Sequence, residues 1–174
     1  MGTNNYLSKV DSLLSAVYKE NKGRLIEERP SMSLTINDYG RHYLLYSFDK
    51  IVKPYRGRKA IDLQPYFATN EGVKSMCDYF LFCFERGKLF VLLIELKQGE
   101  EQVKRQLEAG KTFASFIINT LNRVEKLNIK PVIRSISVRD NHIFRKGTSM
   151  KSIEYDNDFC TFEGSVFVLP EFLK

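Results

Sequence analysis

Cys77-Asp78-Tyr79-Phe80-Leu81-Phe82-Cys83-Phe84-Glu85-Arg86-Gly87-Lys88-Leu89-Phe90-Val91-Leu92-Leu93-Ile94-Glu95-Leu96-Lys97 decides the fold. It reads as two long apolar strands joined by a tight turn at Arg86-Gly87. Glycine supplies the positive φ that a short hairpin turn requires. Away from the turn, three charged side chains interrupt the apolar run: Asp78, Glu95 and Lys97.

The turn fixes what faces what. With Arg86 and Gly87 as the two turn residues, Glu85 opposes Lys88, Phe84 opposes Leu89, and the pairing continues down to Asp78 opposite Glu95. Opposed residues share a face of the ribbon, with Cβ atoms about 4.5–5.5 Å apart. Lys97 lies two residues past Glu95 and shares that face by the period-two rule. A three-residue loop or a bulge would break the register, because a one-residue slip sends every side chain to the other face.

Two carboxylates this close repel each other, and a hard divalent cation removes the conflict. Mg²⁺ takes oxygen ligands, commonly one or two carboxylates completed by waters and substrate phosphates. A bound ion acidifies a water and polarises a phosphoryl oxygen, chemistry suited to phosphodiester hydrolysis. Solvated strand-end charges are the alternative for each of the three residues taken alone.

Asp78, a hairpin, and then Glu95-Leu96-Lys97 resembles the D…(D/E)-x-K core of the PD-(D/E)xK nuclease superfamily, which includes restriction endonucleases and Holliday junction resolvases. The resemblance runs from Asp78 to the end of the following helix. It implies Asp78 and Glu95 as metal ligands, Mg²⁺ or Mn²⁺ as the ion, and Lys97 beside the attacking water. It also implies an acid from the first helix near the metal, for which Glu20 is the candidate. Cys77, not proline, precedes Asp78. Some relatives carry a helix Gln followed four residues later by Tyr. Gln106 is the candidate here, but Gly110 stands where that Tyr would be.

After Lys97, Gln98-Gly99-Glu100-Glu101 breaks the strand and places acids where a helix N-terminus favours them. Gln102 to about Lys126 reads as a helix, with Val103, Leu107, Gly110, Ala114, Ile117 and Leu121 forming one buried stripe. Lys104, Arg105 and Lys111 fall off that stripe in its first half, facing solvent or a phosphate backbone. Pro131 opens a strand over Val132–Arg139, in which Arg134 interrupts the apolar face of Val132, Ile136 and Val138. Hairpin, helix, strand is the order expected of this nuclease core. Ile153–Phe162 and Val166–Leu169 read as closing strands around Glu163-Gly164. The polar loop between, with His142, Arg145 and Lys146, reads as solvated.

Upstream, Tyr6 to about Asn21 reads as an amphipathic helix on Leu7, Val10, Leu13, Leu14 and Val17, closed by Glu20 and stopped at Gly23. Ser33–Ile36 and Tyr43–Phe48 read as short strands around an Asn37-Asp38-Tyr39-Gly40 turn. Lys53-Pro54-Tyr55-Arg56-Gly57-Arg58-Lys59 is a basic loop with an aromatic residue. Arg56, Arg58 and Lys59 are candidates for nucleic-acid backbone contact, or are ordinary exposed cations. Glu71 is a further candidate accessory acid by its nearness to Asp78 in sequence.

The 174 residues form one expected domain, nuclease-like over about 70–140. A hydrophobic content of 43% excludes a disordered chain. The formal net charge of +6 favours a polyanionic partner. Three cysteines without C-x-x-C spacing read as reduced thiols. No signal-peptide or myristoylation pattern is visible near Met1, and no apolar run is long enough to span a bilayer, so a cytoplasmic protein without a membrane partner is expected. P-loop, Rossmann and G-x-S-x-G patterns are absent, as are repeats and low-complexity tracts.

The expected fold is therefore α/β, a restriction-endonuclease-like mixed central sheet flanked by helices. The expected function is Mg²⁺-dependent nuclease action, on DNA first, with a homodimer suited to cutting both strands of a duplex. The alternative is a catalytically inactive nuclease-fold module for nucleic-acid binding or assembly.

Overall fold

The computed structural model describes residues 4–27, 32–48, 73–96, 100–139 and 152–174; of Asn4, Glu27, Glu100, Glu101 and Gln102 it describes the backbone alone. The hairpin at its centre comprises β4 (Tyr79–Glu85) and β5 (Lys88–Leu96). Arg86 and Gly87 both adopt positive φ, 49° and 77°. A two-residue turn with both centres left-handed matches the twist of the flanking strands. Pairing runs in register from Glu85↔Lys88 to Tyr79↔Ile94, as the turn dictates.

Around this hairpin, β3 (Tyr43–Tyr46), β6 (Val132–Arg139) and β7 (Phe159–Glu163) complete a five-stranded sheet in the order β3-β4-β5-β6-β7. β3, β4 and β5 are antiparallel neighbours; β5, β6 and β7 are parallel. Parallel neighbours need a long crossover, and α2 (Glu100–Glu125) supplies the one between β5 and β6. A second sheet, β1-β2-β8, is built from β1 (Arg24–Glu27), β2 (Met32–Asn37) and β8 (Val166–Val168). The described elements thus make a mixed α/β fold.

The central strands are apolar along most of their length because both faces are covered. Tyr79, Leu81 and Cys83 with Phe90, Leu92 and Ile94 point toward the small sheet, meeting Leu25, Leu34, Ile36 and Phe167. The one-turn helix α3 (Leu169–Phe172) closes that core with Leu169 and Phe172. Phe80 and Phe82 with Leu89, Val91 and Leu93 point the other way, onto Leu7 and Val10 of α1 (Asn4–Leu13) and the stripe of α2. The two longer helices therefore share one face, and the other face is covered mainly by strands.

The α2 stripe is buried along its length, with Val103, Leu107, Ala114, Ile117 and Leu121 at most 3% exposed. Gly110 lets the helix approach the sheet, since a Cβ there would lie 2.6 Å from Cys77 Sγ. The helix ends with Lys126 at φ 53° and the Leu127 N–H donating to the Asn122 carbonyl at 2.9 Å. That six-to-one bond with a left-handed residue is the Schellman closure, made here without glycine.

Three expectations are corrected. The first helix stops at Leu13, not near Asn21. A 3-10 turn, Ala16–Tyr18, follows, and Lys19 then bridges to Tyr46 at the sheet edge. The Ser47 N–H donates to the Tyr18 carbonyl and the Glu20 N–H to the Leu45 carbonyl. Pairing with the open edge of β3 satisfies backbone groups that a longer helix would satisfy internally, and it leaves Val17 46% exposed. Glu20 consequently sits on this edge segment and does not close a helix.

The strand expected over Ile153–Phe162 is confined to its C-terminal part. Asn157 and Asp158 adopt positive φ, and Asp156 and Phe159 exchange backbone hydrogen bonds across that turn. The two closing strands also do not pair with each other: β7 joins β6 and β8 joins β2. Arg134, the exception on its strand, stacks over Tyr155 at 4.6 Å, donates to the Lys174 carbonyl and pairs with Asp158.

Candidate functional site

Asp78 stands one residue before β4, and Glu95 is the penultimate residue of β5. The backbone N–H of Asp78 donates to Glu95 Oε2 at 3.2 Å. The backbone N–H of Leu96 donates to Asp78 Oδ2 at 2.7 Å. Each carboxylate is thus held by a peptide N–H of the opposite strand, and the open end of the hairpin is laced by two side-chain bonds. Hydrogen bonds to a carboxylate are stronger than neutral ones, so this lacing orients both acids firmly. Glu95 is fully buried, while Asp78 is half-buried.

Three neighbours shape the corner. Ser137, 3% exposed, is the register partner of Glu95 on the adjacent parallel strand. The Gln106 amide of α2 donates to the Met76 carbonyl at 3.2 Å, tying the helix to the segment that leads into Asp78. Cys77 packs beneath Gly110. Gln106 therefore supports the approach to Asp78 despite the missing Tyr. Ser137 escaped the sequence reading because a lone serine in an alternating strand carries no signal; only the parallel register brings it to Glu95.

The remaining candidates divide. Glu20 lines a groove together with Tyr79, whose ring points to the small-sheet face and away from Glu95, so the described residues do not bring Glu20 to the acid pair. Lys104 and Arg105 are exposed on α2, and Lys111 is half-buried. Lys97, Glu71, Arg56, Arg58 and Lys59 lie outside the described residues, as do His142, Arg145 and Lys146. Among the described residues, no group of three or more His, Cys, Asp and Glu side chains could hold a metal ion. A carboxylate pair is still within the range that Mg²⁺ uses, since waters and phosphates complete its shell.

No protein family, curated protein or solved structure matches this chain.

A second polar cluster anchors α1 to the sheet edge. Asp11 accepts from Lys19 Nζ at 2.7 Å and from the Tyr46 hydroxyl at 2.6 Å. These two bonds hold the Asp11 carboxyl below its ordinary value, against a smaller opposing effect of burial. Burial, together with the Asp11 charge, pushes the Tyr46 phenol well up. All three cysteines are buried, with no disulfide among them. Burial pushes Cys83 and Cys160 up to about 12, which removes them from nucleophilic chemistry at neutral pH. Among the described residues no helix is long and apolar enough to cross a membrane.

Proposed function

We propose that this chain is a divalent-metal-dependent nuclease of the PD-(D/E)xK type, with a restriction-endonuclease-like core, that hydrolyses phosphodiester bonds in DNA. The observation that carries the reading is the Asp78–Glu95 corner: two acids from facing strands, each fixed by a main-chain N–H of the other strand. The order of elements supports it, with an antiparallel β3-β4-β5 meander, a crossover helix and a parallel β6.

The donor set fits a hard cation. Asp78 and Glu95 would hold Mg²⁺ or Mn²⁺ through carboxylate oxygens. When bound, the ion supplies an acidified water and a polarised phosphoryl oxygen. The chain's own part is orientation and exclusion of solvent. The Leu96 and Asp78 N–H groups fix the carboxylates, Gln106 steadies the lead-in to Asp78, and the packed core around Glu95 keeps bulk water from its side. Lys97 follows two residues after Glu95 and takes the role of aligning the attacking water and the phosphate.

The test is incubation of the full chain with labelled DNA and RNA, single- and double-stranded, in Mg²⁺, Mn²⁺ or chelator. Metal-dependent cleavage that disappears in Asp78→Asn, Glu95→Gln and Lys97→Ala supports the reading. Undiminished cutting by Glu95→Gln removes it.

One observation favours a second reading. Glu95 is fully buried and its Oε2 is already engaged by a peptide N–H, as it would be in a structural corner of a catalytically inactive module. That reading expects salt-sensitive nucleic-acid binding, or protein binding, with no cleavage at any metal concentration.

A further inference from the structure

At the open end of the hairpin, on the small-sheet face and opposite to the face that carries Glu95, lies a groove of about 580 Å³ lined by Glu20, Asn21, Lys22, Gly23, Arg24, Ile26 and Tyr79. Its volume falls within the roughly 300–1,000 Å³ of small-ligand sites. Its wall is rigidly tied to the strand that carries Asp78. The Tyr79 hydroxyl donates to the Ile26 carbonyl at 2.8 Å and accepts from the Ile26 N–H at 2.9 Å. Both backbone groups of one β1 residue are thus clamped one residue away from Asp78. The other end of the wall is fixed by the Gly23 N–H, which donates to the Tyr43 hydroxyl at 2.8 Å.

The clamped wall carries cations. Lys22 and Arg24 are exposed, and Arg24 shares the outer face of β1 with Ile26, which is 53% exposed. Lys22 Nζ sits 5.2 Å from the Tyr43 ring centroid, a cation-π contact. Among the described residues, neither Lys22 nor Arg24 forms an ion pair. Glu20 offsets one of the two charges, so the groove's charged side chains sum to one positive charge. Two cations, an amide at Asn21 and an apolar rim at Ile26 make a surface for a polyanionic chain with sugar or base faces between its charges.

We propose that this groove holds the phosphodiester backbone of a nucleic-acid strand that runs past the open end of the hairpin, with Lys22 and Arg24 as the phosphate contacts. The inference rests on the nuclease reading only in taking that strand to be the one that is cut. The binding itself is measured separately. Backbone contacts of this kind set position without reading sequence, so the groove fixes a strand without selecting its bases.

The experiment uses the full chain in chelator, so that binding is read without cleavage. Fluorescence anisotropy follows a labelled oligonucleotide against the wild type, Lys22→Glu/Arg24→Glu, the milder Arg24→Gln, and a control, Lys88→Glu/Lys130→Glu, from a different pocket at the hairpin tip. Circular dichroism verifies that each variant is folded. The double variant is expected to bind at least tenfold more weakly, with the slope of log affinity against log salt reduced by about 2. Arg24→Gln is expected to lose about half of that slope change, and the control to match the wild type. Equal binding by the wild type and the double variant overturns the groove. So does displacement of the oligonucleotide by an equimolar 5′-mononucleotide, which would mark a single-phosphate pocket. Binding lost in the double variant, with no cleavage by the wild type in any metal, keeps the groove and removes the nuclease reading. Cleavage by the wild type, with unchanged binding in the double variant, does the reverse.

Discussion

Asp78 and Glu95 are joined by the Asp78 main chain: its N–H reaches Glu95 Oε2 at 3.2 Å, while its carboxylate takes the N–H of Leu96, the residue after Glu95, at 2.7 Å. Each acid therefore has a structural duty, and loss of structure must be separated from loss of chemistry. At Asp78, asparagine keeps an acceptor for the Leu96 N–H, whereas alanine leaves that donor unsatisfied. Asp78→Asn should remain within about 1 kcal/mol of the wild type, and Asp78→Ala should lose about 1–3 kcal/mol. Urea denaturation checks both, and both should lack cleavage.

An ion held by the carboxylate pair must also stabilise the fold. Ligand at about 100-fold its Kd adds about 2.7 kcal/mol. Mg²⁺ or Mn²⁺ should raise the melting temperature of the wild type, and chelator should reverse the rise. Glu95→Gln, which keeps the side-chain volume and an acceptor, should show no such response. An equal metal-induced rise in Glu95→Gln would place the ion elsewhere.

The acid limb of the stability profile should report Asp11. Its folded pKa is lowered, first by the hydrogen bond from Lys19 and then by that from Tyr46. A depressed carboxyl stabilises the fold above its unfolded pKa, and that contribution disappears as pH falls through the folded value. Asp11→Asn should therefore be less stable than the wild type near pH 6. The gap should shrink as the pH falls below the ordinary carboxyl value of 3.8 and close as it passes through the lower folded value. Urea midpoints across that range provide the measurement.

Gly110 and Cys77 should be coupled. A methyl group at Gly110 would meet Cys77 Sγ at 2.6 Å. Overpacking of this sort costs about 1–3 kcal/mol, against a helix-propensity gain of about 0.8–1.0 kcal/mol. Gly110→Ala should be destabilised on balance. Cys77→Ala opens the space, so the double variant should recover stability relative to Gly110→Ala alone. A double-mutant cycle by denaturation isolates the pair.

The three thiols are buried, and two are pushed up to about 12. A maleimide at pH 7.5 should leave the folded chain unlabelled over minutes and label all three cysteines in denaturant. Mass spectrometry counts the adducts. Rapid labelling of the folded chain would contradict the packing at Cys77, Cys83 or Cys160.

The hairpin was legible because its determinants are local: Gly87 at the turn, apolar residues on both sides, and integer counting from the tip to Asp78 and Glu95. The stripe of α2 and the strand Val132–Arg139 were legible for the same reason. What escaped was set by distant partners. Lys19 and Glu20 leave the helical pattern because the edge of β3 offers them backbone partners. Arg24–Glu27 carries two charges in four residues and becomes β1 only because Leu34 lies opposite Leu25. The burial of Glu95 was equally hidden, since it depends on how α2 and β6 close over the ribbon's end. Arg134 looked misplaced until the C-terminal Lys174 carbonyl and the Tyr155 ring supplied its partners.

The exposed turn at Arg86-Gly87 has a use beyond closing the ribbon. It is the zero point of a ruler whose far mark, Glu95, lies about 26 Å along the extended strand. A single codon added or lost at the tip would move that mark to the opposite surface, unless the extra residue were absorbed as a kink. One residue added on each side would leave it in place. A lesion at the exposed turn can thus displace the Asp78–Glu95 pair at the far end without touching it, while a symmetric extension there offers a harmless site for a probe.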